Sequence, residues 1–361
     1  MLRYKEVKQM LAELIADKRN GERLPSRISL SRQLDSSRAT IDKAIRELTE
    51  EGMLESRFGS GTYVARRLDG VVSNQENWCL IVPDISEAVS AQLASGVEKE
   101  ASARGANVIL CSSDGRAEKQ AEYIQRLMMA GVDGFLIVPA ITRSAEENIA
   151  LYRSLCRSQI PFVFCNRDVE GIDAPIVKSN DFYGGYIATQ YLIALGYRRI
   201  VFLSRQRYRT SVDRCQGYIS ALQERGIAID RRLILMLEQD SAGACGEALL
   251  RLLDAGIRVD AVFCFNDVIA LETMRQLQQR GIRIPDEMGM IGYDNIDACQ
   301  HAQPSLTTVS YQMTDIGRMA ARVLSKLLDH GQTDGFAYYL LQPEIVVRSS
   351  CRSMDRLFPK S

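Results

Sequence analysis

The chain has 361 residues, 46% hydrophobic and 25% charged, with 45 basic and 45 acidic side chains. That length exceeds one ordinary core and predicts two or three domains. No run approaches the roughly 18 apolar residues of a membrane span, and the amphipathic start MLRYKEVKQMLAELIADK lacks a signal-peptide core, so a cytoplasmic protein without membrane contact is expected.

Nine cysteines are scattered through apolar runs with no C-x-x-C pair, and only two histidines, His301 and His330, are present. This pattern suits reduced, buried thiols and offers no metal centre or cofactor site. The zero net charge hides an asymmetry. Residues 1–67 carry 14 Lys and Arg against 10 Asp and Glu, a net of +4, and the remaining 294 carry 31 against 35, a net of −4. A small basic module on a larger acidic one points to nucleic acid at one end, although such an excess also occurs on ordinary solvated surfaces.

In chain order, Tyr4, Val7, Met10, Leu11, Leu14 and Ile15 recur at helical spacing. A break over Asn20–Pro25 precedes a short helix over Ser29–Leu34. Asp35-Ser36-Ser37 forms a turn, and Ser36 or Ser37 caps a third helix with apolar positions Ile41, Ile45 and Leu48. Gly52 ends it. A strand (Met53–Ser56), a tip (Phe58-Gly59-Ser60-Gly61) and a second strand (Thr62–Val64) follow. Three helices and a hairpin make a winged helix-turn-helix over 1–67. Its recognition helix would offer Ser37, Arg38, Ala39 and Thr40 to the major groove, where arginine pairs with both acceptors of guanine. A helical protein-docking domain is the alternative.

Leu24-Pro25-Ser26, Ser37-Arg38-Ala39-Thr40-Ile41, Glu51-Gly52-Met53-Leu54 and Gly59-Ser60-Gly61-Thr62-Tyr63-Val64 closely resemble the GntR-type DNA-binding domain. By that resemblance the DNA contacts are Arg27, Ser37, Arg38, Ala39, Thr40, Lys43 and the tip residues Phe58, Gly59 and Ser60. The family often has arginine where this chain has Ile28 and Asp42; Arg27, Arg32 and Lys43 are the replacements on offer.

Residues 68–77 are polar and aperiodic and read as a linker. Over 78–350, strand-like runs (Cys79–Val82, Asn107–Cys111, Gly134–Val138, Pro161–Cys165, Ile200–Leu203, Leu233–Leu237, Ala261–Phe265, Met288–Gly292) alternate with amphipathic helices. A last long helix covers Met313–His330, and 351–361 form a tail. The alternation predicts an α/β fold of doubly wound parallel sheets in two lobes. Ligands bind beyond the carboxyl ends of such strands. There the chain places Asp84, Ser86, Ser112, Asp114, Asn166, Arg167, Asp168, Asn266, Asp267, Asp294 and Asn295. This set suits a polyhydroxyl or small polar ligand, and several members can equally serve as helix caps.

Segments such as "IPFVFCNRD", "GGYIATQYLIALGYRRIVFL", "RCQGYISAL" and "PSLTTVSYQMTDIGRMAARVLSKLL" resemble the effector domain of LacI/GalR repressors over nearly all of 78–350. The resemblance implies effector binding by Arg214, Asn266 and Asp294, and by Asp84, Asn166 and Tyr311. Where that family commonly has "NPFF", this chain has Glu87-Ala88-Val89-Ser90. The pairing of the two modules is similar to the arabinose-repressor type, which makes a pentose such as arabinose the first effector candidate. A homodimer on a double-stranded DNA operator, released by a sugar, is the expected regulator. A sensor of a non-sugar polar metabolite and a solute-binding protein without DNA binding are the alternatives. An enzyme is disfavoured, since no nucleophile–base pair is evident.

Overall fold

The computed structural model describes residues 7–353, apart from 9, 12–13, 16–21, 51–52, 58–60, 65–74, 142–144, 206–208, 239–240 and 332–336. It divides into two compact units, 1–75 and 76–361. Most of the expected linker, 68–77, and of the tail, 351–361, lies outside the described residues.

In the first unit, helix α1 is described at residues 7, 8, 10, 11, 14 and 15, with Val7, Leu11 and Ile15 buried. Helix α2 (Arg27–Gln33) starts at Ser26, whose hydroxyl accepts from Ser29 N at 3.2 Å. Helix α3 (Arg38–Glu50) buries Ile41, Ala44, Ile45 and Leu48 against α1 and Leu30. Strands β1 (Leu54–Arg57) and β2 (Gly61–Val64) pair antiparallel, and Arg23 bridges to Tyr63 as a third edge. The apolar stripes at helical spacing have one shared core to fill, and this three-helix-plus-hairpin arrangement fills it. The tip residues Phe58, Gly59 and Ser60 lie outside the described residues.

The second unit holds two six-stranded sheets. The first lobe orders β13-β7-β6-β5-β3-β4, all parallel: β3 (Asn77–Val82), β4 (Asn107–Ser112), β5 (Gly134–Ile137), β6 (Phe162–Cys165), β7 (Ile176–Ser179) and β13 (Tyr338–Leu341). The second lobe orders β14-β12-β11-β10-β8-β9: β8 (Ile200–Arg205), β9 (Ile234–Leu237), β10 (Ala261–Cys264), β11 (Gly289–Tyr293), β12 (Thr307–Ser310) and β14 (Glu344–Val346), with only β14 antiparallel to its neighbour. Every residue of β5, β6, β7 and β10 is buried; β5, β6 and β10 are continuous apolar strands between two helical layers, and β7 buries Lys178 and Ser179 as well. In the first lobe those layers are α4 (Ala88–Arg104) with α12 (Met313–His330), and α5 (Ala117–Met129) with α6 (Ala145–Arg157). In the second they are α7 (Asp181–Ala194) with α8 (Arg209–Glu224), and α9 (Ala242–Asp254) with α10 (Asp267–Gln279). A short α11 (Ala298–His301) completes the set.

The chain crosses between lobes three times: after β7 at Asn180, after β12 at Tyr311 and Gln312, and between β13 and β14. The first and third crossings touch, because Asn180 N donates to Leu341 O at 2.9 Å and its side chain reaches Gln342. All nine cysteines are free, and eight are buried. No described helix is long and apolar enough to cross a membrane.

Candidate functional site: a cleft between the lobes, and a recognition helix

A cavity of about 290 Å³ opens at the carboxyl ends of the two sheets. The first lobe contributes Ser86, Glu87, Ala88, Val89, Asn166 and Arg167; the second contributes Arg205, Thr210, Arg214, Phe265, Asn266 and Asp294, and Tyr311 lies on a crossing. Five of the six expected effector residues, Asn166, Arg214, Asn266, Asp294 and Tyr311, therefore converge on one space. Asp84 does not line it. Its carboxylate turns onto Ser86, accepting from the backbone N at 2.8 Å and the hydroxyl at 2.7 Å, and these bonds hold it below its usual pKa.

Arg214 is the most constrained member. It is 3% exposed. Its Nε donates to Asp181 at 2.8 Å and its Nη1 to the Phe265 carbonyl at 2.6 Å, while the guanidinium stacks 3.4 Å from the Tyr293 ring centroid. The helices α7 and α8 must approach closely to bring Asp181 and Arg214 together. Glycine allows it: a Cβ on Gly185 would stand 2.1 Å from Arg214 O, and one on Gly217 2.1 Å from Phe182 O. The "GGY" and "QGY" segments are the local signature of that crossing.

Asn266 caps α10, its Oδ1 accepting from Ile269 N at 3.0 Å, and its amide remains on the cavity wall. Asn166 adopts φ 62°, and its buried Oδ1 has no hydrogen-bond partner among the described residues. Asp294 follows β11 at φ 112°. Burial pushes its carboxyl well above the usual range, against the lowering pull of Arg214. The polar residues after β4 do something else: Ser112 donates to Asp114, which pairs with Lys119 at 2.6 Å. Asp267 is also a structural anchor, wholly buried between Thr308 and Ile296 N. Polar residues at strand ends thus divide into wall residues and turn-builders, a division that residue type alone does not make. Asp181, Arg205, Thr210 and Phe265 carried no local signal as site residues, and Arg205 falls just past the expected end of its strand.

In the first unit, Ser37 caps α3, its Oγ accepting from Thr40 N at 3.2 Å and sharing a 2.8 Å hydrogen bond with the Thr40 hydroxyl. Arg38, Ala39 and Lys43 are exposed on that helix. Arg27 is engaged by Asp42 at 2.8 Å, one of the two positions where the chain departs from the arginine-bearing pattern.

Residues 3–64 match the family described as bacterial regulatory proteins, gntR family, and 189–351 match the periplasmic binding protein-like domain. The chain is 26% identical over 359 residues to the arabinose metabolism transcriptional repressor of Geobacillus stearothermophilus, covering 98% of each. It is 32% identical over 283 residues to the HTH-type transcriptional repressor PurR of Vibrio atlanticus (strain LGP32), covering 76% of this chain and 81% of the relative. A solved structure of a LacI family transcriptional regulator from Enterococcus faecium with bound ribose superposes with a TM-score of 0.65 at 29% identity, covering 76% of this chain and 98% of that one. These relatives are regulators of transcription, and a ligand-responsive, DNA-binding regulator is the function of this chain. The chain belongs to the bacterial transcription regulators in which a gntR-family DNA-binding module is joined to a LacI-type, periplasmic-binding-protein-like sensor.

Proposed function

We propose that the protein is a homodimeric cytoplasmic repressor of carbohydrate-utilisation genes, released from its operator by a sugar bound in the cleft. The observation that carries this reading is the convergence of Asn166, Arg214, Asn266, Asp294 and Tyr311 on one monosaccharide-sized cavity. Fixed amides, a carboxyl and a guanidinium with donors to spare give each ligand hydroxyl a partner, which a buried hydroxyl requires. The relative named as an arabinose repressor and the structure with bound ribose support a pentose, arabinose first.

DNA is read by Arg38 and its neighbours Ser37, Ala39, Thr40 and Lys43, with the wing tip Phe58, Gly59 and Ser60 and with Arg27 on the backbone. A sugar that favours the closed lobes shifts the equilibrium between DNA-competent and released dimers only through its different affinity for the two. The test is a thermal-shift and calorimetric screen of the full chain against pentoses and hexoses, followed by operator release with each binder. A sugar that binds and releases DNA is the expected result. Binding confined to non-sugar metabolites would replace the sugar reading by the metabolite-sensor one.

A further inference from the structure

The two lobes of the sensor are tied together at more than their crossings. Lys178 stands on β7, just before the first crossing, with its side chain only 9% exposed. Its ammonium lies 3.9 Å from Asp168, in the loop after β6 of its own lobe, and 3.9 Å from Asp213, on α8 of the other lobe. The ring of Tyr338 on β13 has its centroid 5.6 Å away. Burial works against the charge, but Tyr338, Asp168 and Asp181 outweigh it and hold the lysine above its usual pKa. The ammonium is thus anchored in the first lobe by Tyr338 and Asp168, and Asp213 is its ion pair with the second.

A second link joins the same two segments. Arg209, in the first turn of α8, is 3.6 Å from Glu170 in the loop after β6. Both of these side chains are mostly exposed, so solvent screens their attraction. Lys178 is buried and its carboxylates are mostly shielded, so screening there is weaker. Both segments carry cavity wall: Asn166 and Arg167 open the loop, and Thr210 and Arg214 flank Asp213 on α8. A movement that separates Lys178 from Asp213 therefore also separates the two halves of the binding site.

We propose that Asp168, Lys178 and Asp213 form an ionic clasp that holds the lobes in the arrangement able to bind effector, with Lys178 as its positioning residue. None of the three lines the cavity. The clasp acts on the population of the binding-competent arrangement, and that population scales the apparent affinity. For its ligand the inference rests on the sugar-sensor reading above; for the clasp itself it rests on the ion pairs between the lobes.

Two variants test it. Asp213→Asn removes the link and leaves Lys178 matched by Asp168, so no buried charge is stranded. Asp213→Lys sets two ammoniums against each other across the lobes. Lobe separation in the unliganded full chain is read by dipolar EPR between spin labels at Arg116→Cys and Asp297→Cys, exposed positions beyond the carboxyl ends of β4 and β11. Dilution with unlabelled protein isolates the distance within one protomer, and eight of the nine native thiols are buried from the label. The distance should lengthen or broaden from wild type to Asp213→Asn to Asp213→Lys. Calorimetric titration with arabinose should show affinity falling about threefold or more in the first variant and about tenfold or more in the second, while Arg209→Gln stays within about twofold of wild type. Unchanged distances in both Asp213 variants would overturn the clasp. So would arabinose affinity that holds at the wild-type level while the distances change. An equal loss in Arg209→Gln would transfer the link to the exposed pair and remove Lys178 from the role. If arabinose binds none of these proteins, the arabinose reading falls and the distances alone decide the clasp.

Discussion

Asp181 holds Arg214 by its Nε at 2.8 Å, in a pair whose members are 2% and 3% exposed. Asp181 opens α7 and Arg214 lies in the second turn of α8, and the two meet only because Gly185 and Gly217 let the helices approach. The carboxylate takes one edge of the guanidinium and the Phe265 carbonyl takes part of another, so the remaining donors are left in a fixed direction for a ligand. Asp181 therefore acts through Arg214, as a positioning residue.

Asp181→Ala should strand a buried guanidinium and lower the stability of the sensor by about 3–5 kcal/mol. Asp181→Asn keeps an acceptor and should cost less while still weakening the effector. Urea unfolding of the three proteins, paired with calorimetry on the best sugar, makes the comparison. Wild-type stability in Asp181→Ala would show that the pair does not hold the site.

Arg38→Ala should weaken specific operator binding by about 1–3 kcal/mol, the range for one bidentate base contact, and leave the sensor folded. Arg38 is exposed at the first turn of α3, a turn fixed by the hydrogen bonds between Ser37 and Thr40. Gel-shift titration at fixed salt reads the loss. Affinity equal to wild type would move the recognition role elsewhere.

What the sequence made legible follows from periodicity. The α12 stripe of apolar residues is long and regular, and its expected bounds, Met313–His330, coincide with the helix. The doubly wound lobes were legible because their strands are continuous apolar runs. Four strands escaped: β7, β12, β13 and β14. Each is three or four residues long. All four adjoin the crossings; β7 carries Lys178, β12 is rich in threonine and β14 has only two apolar residues, while β13 (Tyr338–Leu341) is an apolar run too short to stand out beside the end of the long helix α12. The cavity was half legible. Asn166, Asn266 and Asp294 announce themselves as polar residues after apolar strands. Asp181 reaches the site by helix packing, 33 residues before its partner, and no local pattern encodes that.

Gly96→Val should destabilise the first lobe, because a Cβ there would stand 2.0 Å from Thr314 O on the neighbouring α12. Gly317 meets Leu93 O from the other side at 2.3 Å, so the two helices cross backbone to backbone. Separating them to fit a side chain also disturbs Arg104, whose guanidinium joins Glu76 at 2.6 Å to Asp329 at 2.7 Å. A loss of about 1–3 kcal/mol or more is expected for such overpacking. Thermal and urea midpoints measure it, and an unchanged midpoint would mean that the crossing yields.

The last prediction concerns acidity. Asp267 is wholly buried at the start of α10, accepting from the Thr308 hydroxyl at 2.5 Å and from Ile296 N at 3.0 Å. Burial raises its carboxyl from 3.8 to about 6, against the lowering effect of those bonds. A carboxyl raised in the folded state binds its proton more tightly there than in the unfolded chain. Its contribution to stability is therefore fully present below 3.8 and lost as the pH rises through 6. Asp267→Asn removes this dependence but keeps a fixed penalty, since one amide oxygen cannot accept both bonds. The penalty of the variant relative to wild type should be greatest near pH 4 and shrink by up to about 3 kcal/mol towards pH 7, from a shift of about two pKa units. Urea unfolding of both proteins across that range tests the sign as well as the size. A penalty that grows with pH would mean that Asp267 is stabilised as the carboxylate, and that its hydrogen bonds outweigh its burial.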